Sequence, residues 1–149
     1  MQEYTVKVNT NGDIKWYQNG KRHRLDGPAV ERSNGYKEWY QNGKCHREDG
    51  PAIEWSNGNK SWWQNDNLHR LDGPAVEYAN GYKSWWQNDK LHRLDGPAVE
   101  LANGDKEWHI EGRKLTEEEF NNRNNIEVTI EDIAKAMNID VKKLRIKEH

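Results

Sequence analysis

The chain has 149 residues, the length of one ordinary domain, of which 32% are charged and 33% hydrophobic, with a net charge of −2 from 23 basic and 25 acidic side chains. Leu, Ile, Met and Phe are scarce, whereas eight Trp and six Tyr supply large apolar areas with a polar handle, which disfavours a Leu-rich helical globule and favours a thin sheet packed by rings. The near-neutral balance gives no bulk field to attract nucleic acid or an anionic membrane. No apolar run is long enough to span a bilayer, and the opening residues lack the basic and apolar regions of a secretion signal. The expectation is a soluble, cytoplasmic protein.

In chain order, Tyr4-Thr5-Val6-Lys7-Val8 reads as a capping strand. From there a 23-residue repeat takes over. His23-Arg24-Leu25-Asp26-Gly27-Pro28 returns at His46 to Pro51, His69 to Pro74 and His92 to Pro97. Ahead of each copy stands an aromatic block carrying Trp16-Tyr17, Trp39-Tyr40, Trp62-Trp63 and Trp85-Trp86, and a decayed Trp108-His109 closes the series as a terminal half unit. Asn-Gly steps such as Asn34-Gly35 and Asn42-Gly43 mark tight turns, and the segments between them are rich in aromatic and β-branched residues. The repeat therefore reads as antiparallel β-hairpins stacked into an elongated sheet, occupying residues 1–115. Residues 116–149 read as a helical cap or appendage. Thr116 with Glu119 makes an N-cap pattern for a short helix through Phe120. A second capped helix is expected over Val128 to Met137, with Ile130, Ile133, Ala134 and Met137 on one face.

Two strands per unit are favoured over three, because an odd number would reverse every second unit while the near-identical copies call for equivalent surroundings. His-Arg-x-Asp-Gly-Pro then serves as the connector. Alternation places Trp39 on a face with Lys37 and Gln41, and Tyr40 on the other with Tyr36 and Glu38. The constant Trp, with Val30, Ile53, Val76 and Val99, is assigned to the inner stack. The variable ring (Tyr17, Tyr40, Trp63, Trp86, His109) is assigned to a more exposed ladder.

Units such as Gly35-Tyr36-Lys37-Glu38-Trp39-Tyr40-Gln41-Asn42-Gly43-Lys44 resemble the MORN repeat, in its variant with a W-Y-x-N-G-K core, and the period of 23 agrees. The resemblance covers roughly residues 11 to 115. The His-Arg-x-Asp-Gly-Pro-Ala stretch departs from ordinary MORN units and is similar to repeats in proteins of bacteriophages and large DNA viruses, where the last copy often runs into a tail like Leu115 to Phe120. The resemblance implies stacked hairpins used for protein contacts, sometimes for membranes, and no catalytic residue. The charge balance argues against the membrane role.

Equivalent His of successive units would lie roughly 10 Å apart, too far to share a zinc ion that needs its nitrogens at about 2 Å. The His and Asp of the connector read instead as turn and inter-unit bonding groups. Cys45 stands where other copies have Arg22, Leu68 and Leu91, so it reads as incidental, and a lone cysteine forms no internal disulfide. No metal, cofactor or catalytic residue is expected.

The leading expectation is a non-enzymatic protein-binding module, an accessory protein of phage or viral type acting on a host or viral protein. Its partner would be met by Tyr17, Tyr40, Trp63, Trp86, Arg24, Arg47, Arg70 and Arg93. The alternative is nucleotide or nucleic-acid binding by the same aromatic and arginine stripe. Edge pairing leaves a homodimer open. Thr129-Ile130-x-Asp132-Ile133-Ala134, with Ile139 and Leu144, is similar to the start of a repressor-type helix-turn-helix. Asn138 stands where its turn usually has Gly, so a cap or docking element is preferred.

Overall fold

A computed structural model describes residues 3–124, 130–138 and 140. The chain divides into two compact units, one ending at Glu117 and the other beginning at Glu118. The first unit is the repeat region. Among the described residues its main antiparallel sheet has 12 strands, most of them only two residues long. It begins with Thr5–Val8 against Ile14–Gln18, with Lys21–Arg22 paired to the latter off the main path. From there Val30–Glu31, Lys37–Glu38, Ile53–Glu54, Lys60–Ser61, Val76–Glu77, Lys83–Ser84 and Val99–Glu100 follow in sequence order. Lys106–Ile110 and Arg113–Leu115 close the far edge.

Turn chemistry builds each unit. Asn34-Gly35 closes a three-residue loop in which Gly35 takes φ +90, its N–H bonds the Arg32 carbonyl, and the Asn34 side chain accepts the Tyr36 N–H. Asn42-Gly43 closes a two-residue loop with φ of 53 and 82, the pattern of a type I′ turn. In two later copies Asp66 and Asp89 replace that glycine at φ 70 and 61. Each offsets the strain by accepting an N–H of the preceding unit through its carboxylate, from Cys45 at 2.8 Å and from Leu68 at 2.6 Å.

Two strands per unit lie in the main sheet, so successive units run in the same direction, as the equivalence of the copies requires. The strand count itself differs from the sequence reading. Tyr40–Gln41 pairs with Lys44–Cys45 in a second hairpin outside the main sheet, as do Trp63–Gln64 with Asn67–Leu68 and Trp86–Gln87 with Lys90–Leu91. The three full units carrying Trp39, Trp62 and Trp85 therefore have four short strands each, whereas in the first unit Ile14–Gln18 runs unbroken and Lys21–Arg22 pairs with it. The aromatic strand changes partner at the constant Trp. The Trp39 N–H bonds the Ala52 carbonyl across the main sheet, while its own carbonyl accepts from His46 N–H within the side hairpin.

Register separates two faces. Val30, Glu38, Ile53, Ser61, Val76, Ser84, Val99 and Glu107 stand opposite one another on one face. Glu31, Lys37, Glu54, Lys60, Glu77, Lys83, Glu100 and Lys106 form a charge-alternating ladder on the other, each opposite-charge pair contributing about 0.2 to 1 kcal/mol. The expected split of Trp39 from Tyr40 holds. The assignment of the valines does not: Val30, Ile53, Val76 and Val99 lie on the face of the variable ring. That face carries the most buried strand residues, Val30, Ser61 and Ser84. The constant Trp lies with the Lys and Glu ladder.

The second unit contains α1 (Glu117–Asn122), which begins in the first, and α2 (Ile130–Met137). Both match expected helices, and α2 ends at Asn138 with φ 53. Val128 and Thr129 at the expected start of that helix, and Ile139 and Leu144 of the helix-turn-helix resemblance, lie outside the described residues.

Ala29, Ala52, Ala75 and Ala98 are fully buried at the point where each connector rejoins the sheet. Ala75 bonds both neighbours, through its carbonyl to Trp62 N–H and its N–H to the Ser84 carbonyl, both at 2.8 Å. Ala75→Leu is expected to lower the unfolding free energy by about 1 to 3 kcal/mol through overpacking, measured by urea denaturation.

Candidate functional site

The His-Arg-x-Asp-Gly-Pro connectors lie over the Trp face and are built around their arginine. The Arg47 guanidinium sits 4.0 Å from the Trp39 ring centroid, donates from Nε to Asp49 at 2.8 Å, and from Nη1 to the Pro51 carbonyl at 3.1 Å and Glu54 at 3.3 Å. Arg24, Arg70 and Arg93 repeat the arrangement over Trp16, Trp62 and Trp85 at 4.2, 4.0 and 3.9 Å, with the same carboxylate and carbonyl partners. The glycine of the motif is required by this packing. A Cβ on Gly73 would lie 2.9 Å from the Arg70 Cζ.

These bonds correct the expected role of the aspartates. Asp26, Asp49, Asp72 and Asp95 accept chiefly from the arginine two residues earlier, more than from turn N–H groups. The guanidinium beside each holds its carboxyl below the ordinary value. The expected reach of His to a neighbouring unit is present. His23 Nδ1 accepts Asn42 N–H at 2.9 Å, and His46, His69 and His92 accept from Asn65, Asn88 and Glu111. Arg side chains stay within their own unit, while their main-chain N–H groups reach the next one, as from Arg24 to the Tyr40 carbonyl.

Tyr17, Tyr40, Trp63 and Trp86 are half-buried on the opposite face, and the two indoles are hydrogen-bonded within it. Trp63 and Trp86 donate Nε1 to Ser61 at 2.6 Å and to Ser84 at 2.7 Å. The Arg22 guanidinium lies over the Tyr40 ring at 5.2 Å and Lys7 over Tyr17 at 5.2 Å. His109 is buried and lies 3.2 Å from Glu107. The sequence-predicted site residues are thus divided between two faces: Arg24, Arg47, Arg70 and Arg93 on one, Tyr17, Tyr40, Trp63 and Trp86 on the other.

Between successive connectors lie three equivalent grooves of about 550, 560 and 570 Å³. One is floored by Trp85 and Gln87 and walled by the connectors of Arg70 and Arg93; the others repeat it around Trp39 with Gln41 and Trp62 with Gln64. Leu25, Leu71 and Leu94 stand at the rim, 57%, 76% and 58% exposed. The sequence reading passed over these leucines and the Gln floor. The available signal was the x position of the motif, the one connector position that changes character, with Glu48 in place of Leu.

Burial, reinforced by the charges of Glu38 and Asp66, pushes the Cys45 thiol up to about 12, so it remains protonated and unreactive at neutral pH. Among the described residues no three His, Cys, Asp or Glu side chains gather closely enough to hold a metal ion, and no helix is long and apolar enough to cross a membrane. No model of a known protein family matches the chain, and no curated protein matches it.

Two outcomes follow from the arginine clamp. Gly73→Ala should cost about 1 to 3 kcal/mol in the wild-type background and under about 0.5 kcal/mol once Arg70 is Ala, a coupling read from a double-mutant cycle. Because Arg favours the ionised Asp in the folded chain, the stabilisation is full above the ordinary carboxyl value of 3.8 and is lost as pH falls through the lowered one. Thermal midpoints should therefore drop on acidification below about pH 4, and Asp72→Asn/Asp95→Asn should flatten that drop.

Proposed function

We infer that this chain is a non-enzymatic protein-binding module whose partner meets the connector face. The observation that carries this reading is the repetition of one groove, with the same floor and walls, three times along a single sheet. A repeated surface favours an extended or multivalent protein ligand, as concave repeat arrays generally do. Arg24, Arg47, Arg70 and Arg93 hold the groove walls in place, while Tyr17, Tyr40, Trp63 and Trp86 supply the packing behind them.

The resemblance to MORN-type repeats of bacteriophage and large DNA virus proteins supports an accessory role in the cytoplasm of an infected cell, acting on a host or viral protein. The arginine engagement weighs against the nucleic-acid alternative. Each guanidinium is about 20% exposed and already bonded to two carboxylates and a carbonyl, which leaves little capacity for phosphate.

The full chain immobilised on resin and exposed to bacterial lysate should retain a protein that Leu71→Lys/Leu94→Lys loses. Trp63→Ala/Trp86→Ala should reduce stability before it reduces binding. Retention of nucleic acid instead, with steep salt dependence, would overturn the protein-binding reading.

A further inference from the structure

The rim of the groove row is acidic. Asp26, Asp49, Asp72 and Asp95 expose 83 to 84% of their side chains and Glu48 exposes 82%, whereas the arginines beneath expose only 19 to 22%. Each Asp accepts the Nε–H of its arginine at Oδ1, and its exposure leaves the carboxylate open to a second cation. Neighbouring aspartates face one groove from either wall: Asp26 and Asp49, Asp49 and Asp72, Asp72 and Asp95. An ammonium or guanidinium seated in a groove would lie between the carboxylates of its two walls, and in the first two grooves Glu48 adds a third.

The spacing selects the shape of the chain that carries those cations. Each unit places two strands in the main sheet, so successive grooves repeat at roughly 10 Å. A polyproline II helix rises about 3.1 Å per residue with three residues per turn, so every third side chain points the same way at intervals of about 9 Å. A β-strand repeats its side-chain direction every two residues, at roughly 7 Å, and falls out of step with the grooves. The groove lining is also suited to such a ligand: Trp39, Trp62 or Trp85 for ring packing, a Gln amide for main-chain carbonyls, and a leucine at the rim.

We propose that the connector row binds a basic polyproline II segment of a partner protein, with Lys or Arg at every third position, one cation to each groove. This rests on the protein-binding reading above and names the ligand class of the same surface.

The test is fluorescence anisotropy of labelled peptides with the full chain. The peptides are four Pro-Pro-Lys triplets, a period-four control of Pro-Pro-Pro-Lys with the same number of lysines, and four Pro-Pro-Glu triplets. The lysine triplet peptide should bind at least about tenfold tighter than the period-four peptide, and the acidic peptide should not bind. Glu48→Lys, at a position that holds leucine in the other copies and so is free of a folding requirement, should weaken the triplet peptide by about tenfold. Near-ultraviolet circular dichroism checks that its tryptophan packing is unchanged.

Equal affinity for the period-three and period-four peptides, or an unaffected Glu48→Lys variant, overturns the inference. If the wild type captures a connector-dependent lysate protein but no triplet peptide, this assignment falls and the protein-binding reading stands. If neither is bound, both fall.

Discussion

The repeat region depends on an arginine held between an indole and a glycine. The main sheet has two faces to cover, and this chain has few aliphatic residues to spend on either. The connector supplies the missing layer over the Trp face. Its guanidinium lies about 4 Å from the ring centroid, a contact of about 0.5 to 2 kcal/mol where partly desolvated. The same group ties together the Asp of the turn, the Pro carbonyl and the Glu of the following strand. Removing any neighbour loosens the rest, so the arrangement is cooperative inside one unit. Cooperation between units comes from the main chain and His, through bonds such as Arg47 N–H to the Trp63 carbonyl and Asn65 N–H to His46. Stability should then add up unit by unit with nearest-neighbour terms, as in other linear repeats.

The hairpin character, the period, the turn positions and the two helices were legible because Asn-Gly pairs and capping residues act locally. The four-strand unit was not. Gln41 and Lys44 flank the same Asn-Gly turn that the sequence displays, but whether Lys44–Cys45 pairs depends on where the aromatic strand leaves the main sheet. That departure occurs at Trp39, whose N–H and carbonyl serve different partners. Nothing local in Trp39 announces it. The parity argument still held, because the extra pair of strands lies off the main sheet and leaves the direction of each unit unchanged.

The valines were assigned to the wrong ring's face in the sequence reading for an instructive reason. Constancy of Trp16, Trp39, Trp62, Trp85 and Trp108 was taken as the mark of the inner stack. In the structure the Trp of each full unit is matched by a constant Arg and a constant Gly, so constancy records a fixed set of partners and is silent about which face is inside. The variable ring changes together with the residue two positions earlier: Trp63 and Trp86 with Ser61 and Ser84, His109 with Glu107. Covariation at i and i+2 along a strand marks neighbours on one face, and that signal was present in the sequence.

The same test locates the surface left for a partner. Variation at the ring position has a structural cause, since each ring is fitted to its own neighbour. Variation at the x position of His-Arg-x-Asp-Gly-Pro has none of that kind. Leu25 and Leu71 are largely exposed, and Glu48 stands in the same place with its Oε1 3.6 Å from His46 Nε2, a contact the leucine copies manage without. A position that the fold leaves unconstrained, at the rim of a groove that the fold repeats three times, is where a change of residue alters what the surface meets while leaving the sheet intact. Carrying three leucines and one glutamate there, over a row of aspartates, gives the first two grooves Glu48 with one leucine each and the third groove two leucines. A partner that lies along the row is thereby given a direction as well as a register.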